Sequence, residues 1–530
     1  MRIIILIVFF LYNCSVDDNK ISKVDEYSKK GILLLGNGTE PSGIDPHIVT
    51  GVPEHKILLA LLEGLVIFNP QDNGVLPGVA SNWEISEDGL EYTFTFNKNA
   101  RWTNGDNVLP SDFEYSWKRI LSSELGAQYA DMLYVIKNAE NFHKGKINNF
   151  SEVGVSSIGN KLKVVLENPT PYFLNILTHY ATWPVHPDTV EKHGGMLSRS
   201  NQWTKKENFV GNGPFVLESW EINKSLKVKR NELYWGNSKN KINGIEFIPI
   251  DNELTQDRLF RSGGIHLANT VPTEKIKGYR ENRPDVLFEH NYFGTYYYRI
   301  NTTKYPLNNI SFRKALSLSI DRELLIKSIL KGNQIASYSF TPPNPQGYDP
   351  KTQLEFNPKK AKLLLDNSGY DTESPPIELL YNTSEGHQKI AQAIQEMWKK
   401  YLGLNIVLTN VDWKVYLSRE TQGEYDISRA GWIGDYPDPF TFLDMMVTDR
   451  GNNKTGWSSK EYDKFLKLAS SKINNDSRYK LYEQAEKILI EELPIIPIYT
   501  YTRTYLLSQK VKNWQKNILD TNPYQFLSLE

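Results

Sequence analysis

Nine histidines, His47, His55, His143, His179, His186, His193, His266, His290 and His387, are the obvious candidates for metal or acid–base chemistry. No two stand four positions apart, so none form the helical pair that a zinc site commonly uses. The chain has no HExxH, GxSxG or P-loop motif and no glycine-rich dinucleotide fingerprint, so neither an enzymatic activity nor a cofactor is expected. A single cysteine, Cys14, excludes an internal disulfide and a cysteine-rich metal site. On local grounds alone, Asp435 beside Pro437 suits a turn, Arg419 and Arg429 suit a solvated surface, and His387 suits the first turn of a helix.

The chain has 530 residues, enough for three or four structural units at roughly 150 residues each. Lys plus Arg number 61 against 62 for Asp plus Glu, so there is no positive field for nucleic acid to follow. Cys14 follows Arg2 and the apolar run Ile3 to Tyr12, which is too short to span a bilayer and the right length for a secretory signal. The tetrad Leu11-Tyr12-Asn13-Cys14 resembles the lipobox of bacterial lipoproteins, which implies an acylated Cys14 as a membrane anchor. The expected layout is a signal peptide at 1–13 and a lipidated, flexible tether at 14–30.

The elements that must position any site are legible in part. Gly31 to Gly36 reads as a buried strand and Glu54 to Leu62 as a short helix. Tyr92 to Phe96 alternates between turn signals at Asp88-Gly89 and Asn104-Gly105. Asp112 to Leu121 and Leu125 to Ile136 read as helices, followed by strands at Val153 to Ile158 and Leu162 to Leu166. Ile377 to Tyr381, a helix opened by Ser384 and closed by Gly403, and Asn405 to Thr409 form a strand–helix–strand unit with a parallel pair. A helix over Asp476 to Glu491 leads to a strand at Ile495 to Tyr501.

Val79-Ala80-Ser81-Asn82-Trp83, Asp88-Gly89, Tyr92-Thr93-Phe94, Arg101-Trp102-Thr103-Asn104-Gly105 and Asp112 to Trp117 resemble, in order and spacing, the signature of solute-binding proteins of peptide and nickel ABC importers. Trp83 and Trp102 in that stretch are expected in the core. Gly51 to Glu54, Thr295 to Tyr298, Tyr381 to Ser384 and Ser428 to Tyr436 are similar to the oligopeptide-binding proteins in particular. The resemblance implies an α/β, two-lobed, type II periplasmic-binding-protein-like fold of the peptide/nickel-binding cluster, with an extra small α+β subdomain. Lobe I would comprise 31–62, 188–293 and 503–530, the subdomain 63–187, and lobe II 294–502.

A site that accepts many peptides must recognise the α-ammonium, the backbone amides and the terminal carboxylate. By resemblance, Asp435 would pair with the α-ammonium, and the backbones of Gly431, Gly51 and Val52 would hydrogen-bond an extended peptide as an added strand. Trp413 and Trp432 would wall side-chain pockets, and Tyr115 would reach in from the smaller lobe. Arg419, Arg429 and His387 would meet the carboxylate. Arg299 and Thr50 stand where better-known relatives carry acids, and Ile329 where they carry a base, so Arg299 is expected to draw acidic side chains.

The implied function is capture of extracytoplasmic oligopeptides by hinge closure and delivery to an ABC permease, by a monomer anchored to a bacterial membrane and facing the periplasm or cell exterior. Another ligand on the same fold, such as a dipeptide, a nickel chelate or haem, is the alternative, with a surface peptidase behind it.

Overall fold

The computed structural model describes residues 21–530 except 201, 332, 344–346 and 372–373. Cys14 and the expected signal peptide lie outside the described residues. An eleven-stranded curled sheet organises the molecule. Its main path runs Ile406–Val411, Ile377–Asn382, Ile427–Ile433, Leu287–Ile300, Ile495–Leu507, Leu267–Ala268, Ile32–Gly36, Gly244–Ile248, Ser225–Arg230, Phe215–Glu221. Two long antiparallel strands at its centre, Leu287–Ile300 and Ile495–Leu507, are shared by the two lobes. Their pairing runs from Leu287 to Asn291, is interrupted, and resumes at Thr295.

The period-two alternation of a strand decides what each residue of the tyrosine run touches. Tyr296, Tyr298 and Ile300 belong to the second-lobe core with Ile390, Ile394 and Trp398. Tyr297 lies on the opposite face, with Phe340 at a ring separation of 5.2 Å. The expected strand–helix–strand unit is present: Ile377–Asn382 pairs in parallel with Ile406–Val411, joined by the helix Glu385–Leu402. The Ser384 side chain accepts from the His387 amide, and Gly403 closes the helix in the left-handed conformation, at φ 74°.

The segment between the first-lobe strands forms a four-stranded antiparallel sheet, Ala80–Ile85, Glu91–Phe96, Lys161–Val165 and Val155–Ile158, covered by the helix Pro110–Leu121. Trp102 is fully buried and donates from its indole to Asp112 at 2.9 Å, while Trp83 is half-buried. The stretch Leu125 to Ile136 is not the helix its apolar content suggests. Only 3-10 turns, among them Ala130–Leu133, form there, with Gly126 left-handed at φ 64°. The tether is also shorter than expected. Lys23–Lys29 is a helix whose Val24 and Ser28 are buried, with Ser28 bonded to His266 at 2.9 Å. One apolar and one polar buried residue on a polar seven-residue helix carry too weak a periodicity to be read in advance.

Candidate functional site

The strand Ile427–Ile433 pairs with Leu287–Ile300 along its whole length, from Ile427 opposite Ile300 to Ile433 opposite Gly294. On its other side only Ile427 and Ser428 pair, with Leu379 and Leu380. From Arg429 to Ile433 that edge has no strand partner; the Arg429 carbonyl accepts the Tyr416 hydroxyl, and beyond it lies a row of main-chain donors and acceptors facing the cleft. Gly431 lies in this row. A Cβ there would run into the Tyr501 hydroxyl, so the close approach requires glycine.

At one end of the edge stands Asp435. Its carboxylate meets the Tyr129 hydroxyl at 3.4 Å, His179 Nε2 at 3.3 Å and the Thr441 hydroxyl at 3.4 Å. His179 Nδ1 accepts from the Ala181 amide, so Nε2 carries the proton, and burial beside His55 holds the ring well below the ordinary histidine range. All three partners are neutral and long. Burial pushes the Asp435 carboxyl up to about 8, because nothing positive compensates its charge.

At the other end stands Arg429. Its Nη2 donates to the Tyr501 hydroxyl at 3.0 Å, its Nη1 reaches Asn382 at 3.4 Å, and the guanidinium lies 5.0 Å over the Tyr296 ring. Its Nε is buried without a hydrogen-bond partner, and no carboxylate among the described residues forms an ion pair with it. His387 joins this cluster through Tyr296, at 5.6 Å between rings, and burial together with the Arg429 charge keeps it neutral. Arg429 and His387 are thus brought together as expected.

Trp432 donates to the Thr441 carbonyl at 2.8 Å and lies 6.3 Å from the Tyr129 ring, walling the Asp435 pocket. Trp413 stacks on Tyr416 at 5.5 Å and reaches across to Gly51, the N-cap of the helix Val52–Leu61. Val52, the first residue of that helix, is exposed.

Two expected contacts are placed elsewhere. Arg419 donates to both oxygens of Glu378, at 3.1 and 2.8 Å, and to the Glu424 carbonyl, so its fork is occupied away from Arg429. Tyr115 donates to Glu191, just past the end of its own subdomain, at 2.8 Å. The tyrosine that crosses to the cleft is Tyr129, carried by the turn misread as a helix. Arg299 is also not available to ligand. It forms a buried ion pair with Glu420 and donates to Tyr297 at 3.1 Å. Ile329 packs half-buried against the second-lobe core. His179 and Thr441 were missed as well, since nothing local distinguishes His179 from the other histidines.

Two lobes joined by a pair of long strands, closing on a cleft with an unpaired sheet edge and opposite uncompensated charges, define a solute-binding protein that takes an extended ligand. The chain belongs to the bacterial extracellular solute-binding proteins, family 5, whose family model, described as the middle region, matches residues 74–454. It is 35% identical over 500 residues to the periplasmic oligopeptide-binding protein OppA of Salmonella typhimurium, covering 92% of this chain and 90% of that protein.

Among solved structures, Haemophilus influenzae OppA in complex with RPPGFSPFR superposes with a TM-score of 0.90 at 32% identity, covering 94% of this chain and 99% of that one. The Escherichia coli murein tripeptide-binding protein MppA, 34% identical, gives 0.89 in one structure, covering 94% of this chain and 98% of that one. Its unliganded open form gives only 0.64, with 94% and 97% covered. The lobes of this chain are therefore arranged as in a closed binding protein.

Proposed function

We propose that this protein captures extracytoplasmic oligopeptides in extended form and hands them to an ABC permease, without catalysis of its own. The observation that carries this reading is the unpaired edge Arg429–Ile433, set between a carboxylate and a guanidinium that both lack a counter-charge. A peptide supplies all three complements: an α-ammonium for Asp435, alternating amides for the edge, and a carboxylate for Arg429 and His387. The interruption between Asn291 and Thr295 would serve as the hinge, with lobe boundaries near 293 and 502. Because the ligand touches both lobes, it favours the closed state and shifts the population toward it. The chain would act as a monomer held on a bacterial membrane through acylated Cys14, facing the periplasm or the exterior.

The test is a double cycle by calorimetry with Ala-Ala-Ala and its N-acetyl form. Truncating one member of a buried charge pair costs on the order of 2 to 5 kcal/mol. Asp435→Ala should therefore weaken tripeptide binding by roughly 30-fold to several thousandfold. Acetylation should cost as much in the wild type and far less in the variant. Additive losses would mean that the two groups do not meet.

A further inference from the structure

The pocket at Asp435 holds a second carboxylate that an α-ammonium alone leaves unmatched. Asp131, on the turn Ala130–Leu133 of the small subdomain, lines the same pocket. One of its oxygens accepts the Gly451 amide at 3.2 Å. The nearby cation, Arg450, pairs with Asp444, with Nη2 and Nε at 2.7 and 3.1 Å from one carboxylate oxygen, while its Nη1 is buried without a hydrogen-bond partner and its charge only partly offsets the burial of Asp131. Among the described residues no lysine or arginine comes within salt-bridge distance of Asp131 or Asp435. Three carboxylates, Asp131, Asp435 and Asp444, thus share one arginine, and a ligand with a single positive charge leaves one of them buried and uncompensated. Burial pushes Asp131 up to about 7, and after burial and the Tyr129 bond the Asp131 charge further disfavours ionisation of Asp435.

Besides Thr441, Asp444 and Asn452, the pocket lining includes apolar side chains. Met132 and Met445 are buried and Trp432 presents its ring, a lining that suits methylenes and adapts to their path. Among the described residues no group of three acidic, histidine or cysteine side chains is placed to hold a metal ion. Two separated cations joined by a hydrocarbon stem fit this arrangement where one compact ion does not. We propose that the pocket selects peptides whose first residue is basic, Asp435 taking the α-ammonium and Asp131 the side-chain cation. The inference rests on the reading of Asp435 given above.

Calorimetry with Lys-Ala-Ala, norleucine-Ala-Ala and Glu-Ala-Ala tests it, since norleucine keeps the stem and lacks the ammonium. Lysine should bind on the order of tenfold tighter than norleucine, the lower end of coupling for close charge pairs, and glutamate weaker than both. Asp131→Asn should bring the lysine-to-norleucine ratio close to one, and Asp131→Glu should retain the preference. Nε-acetyl-lysine removes the same charge from the ligand side and gives the answer even if a variant fails to fold. Equal affinities for the lysine, norleucine and Nε-acetyl-lysine peptides would overturn the selection while leaving peptide capture intact. A full lysine preference in Asp131→Asn would overturn the role of Asp131. Failure of all four free-amine peptides to bind the wild type would overturn the functional reading and this inference with it.

Discussion

Arg299 and Arg429 lie on adjacent strands, yet their guanidinium groups leave the sheet on opposite faces, because Arg299 is opposite Ser428 and Arg429 is opposite Tyr298. On its face Arg299 meets Glu420. Burial would raise that carboxyl, but the arginine charge beside it holds it below its ordinary value. The pair is internally neutral and sits among Tyr297, Tyr416 and Ser428, which donate or accept around it. Removing one partner strands a buried charge, so Arg299→Ala should destabilise the fold by about 3 to 5 kcal/mol, read by denaturant unfolding. The affinity ratio for acidic against basic peptides should stay at its wild-type value. A change in that ratio with little loss of stability would place Arg299 in the cleft. Arg429 forms no ion pair among the described residues, which in the reading proposed above frees it for a ligand carboxylate.

At the scale of the element, the strand Ile427–Ile433 behaves as an edge only because Ile377–Asn382 stops pairing with it after Ser428. Residues of a bound strand alternate between facing that edge with their amides and facing away. N-methylating a peptide at successive positions should therefore weaken binding alternately. Losses of about 3- to 10-fold are expected where a hydrogen bond is removed, from a net worth near 1 kcal/mol each, with small changes between. A scan without alternation would mean that the peptide does not pair with this edge. The Asp435 end depends equally on elements: Tyr129 comes from a turn of the small subdomain, and its bond to Asp435 joins that subdomain to the second lobe.

At the scale of the molecule, closure without ligand buries carboxylates whose burial is not offset by the cations near them. Asp435 rises to about 8, Asp131 to about 7, and Glu253, buried and repelled by Glu385 of the facing lobe, to about 7. Each holds more protons in the closed state than in the open one, so their contribution favours empty closure as pH falls and opposes it as pH rises through this range. Lys454 and Lys56, held down to about 8 and 7 by burial, act in the opposite sense. The informative quantity is thus the difference between the wild type and Asp435→Asn. Followed by small-angle scattering from pH 6.5 to 8.5, the ligand-free wild type should open more with rising pH than the variant. Identical curves would mean that closure does not bury Asp435. The proposed anchoring through Cys14 is separable from all of this, since the described contacts of the fold begin at the helix Lys23–Lys29. Cys14→Ala should move the protein from the detergent phase to the aqueous phase with its melting temperature unchanged. Retention in detergent would rule out lipidation at this residue.

Periodicity and turn chemistry in the sequence were enough to place the strand Glu91–Phe96, the helix Pro110–Leu121, the unit from Ile377 to Val411 and the helix Asn475–Glu492, because each buries a face within a dozen or so residues. The motif Ser428 to Tyr436 likewise marked the stretch that forms the strand Ile427–Ile433, with Arg429 and Asp435 at its two ends. The tertiary structure alone decided which charges remain free. Arg419 is occupied by Glu378, 41 positions away, and Arg299 by Glu420, 121 positions away. Tyr129 rather than Tyr115 reaches Asp435, across 306 positions. A side chain's availability to ligand depends on every group packed around it in space, and that sum is set by how the lobes come together rather than by its neighbours along the chain.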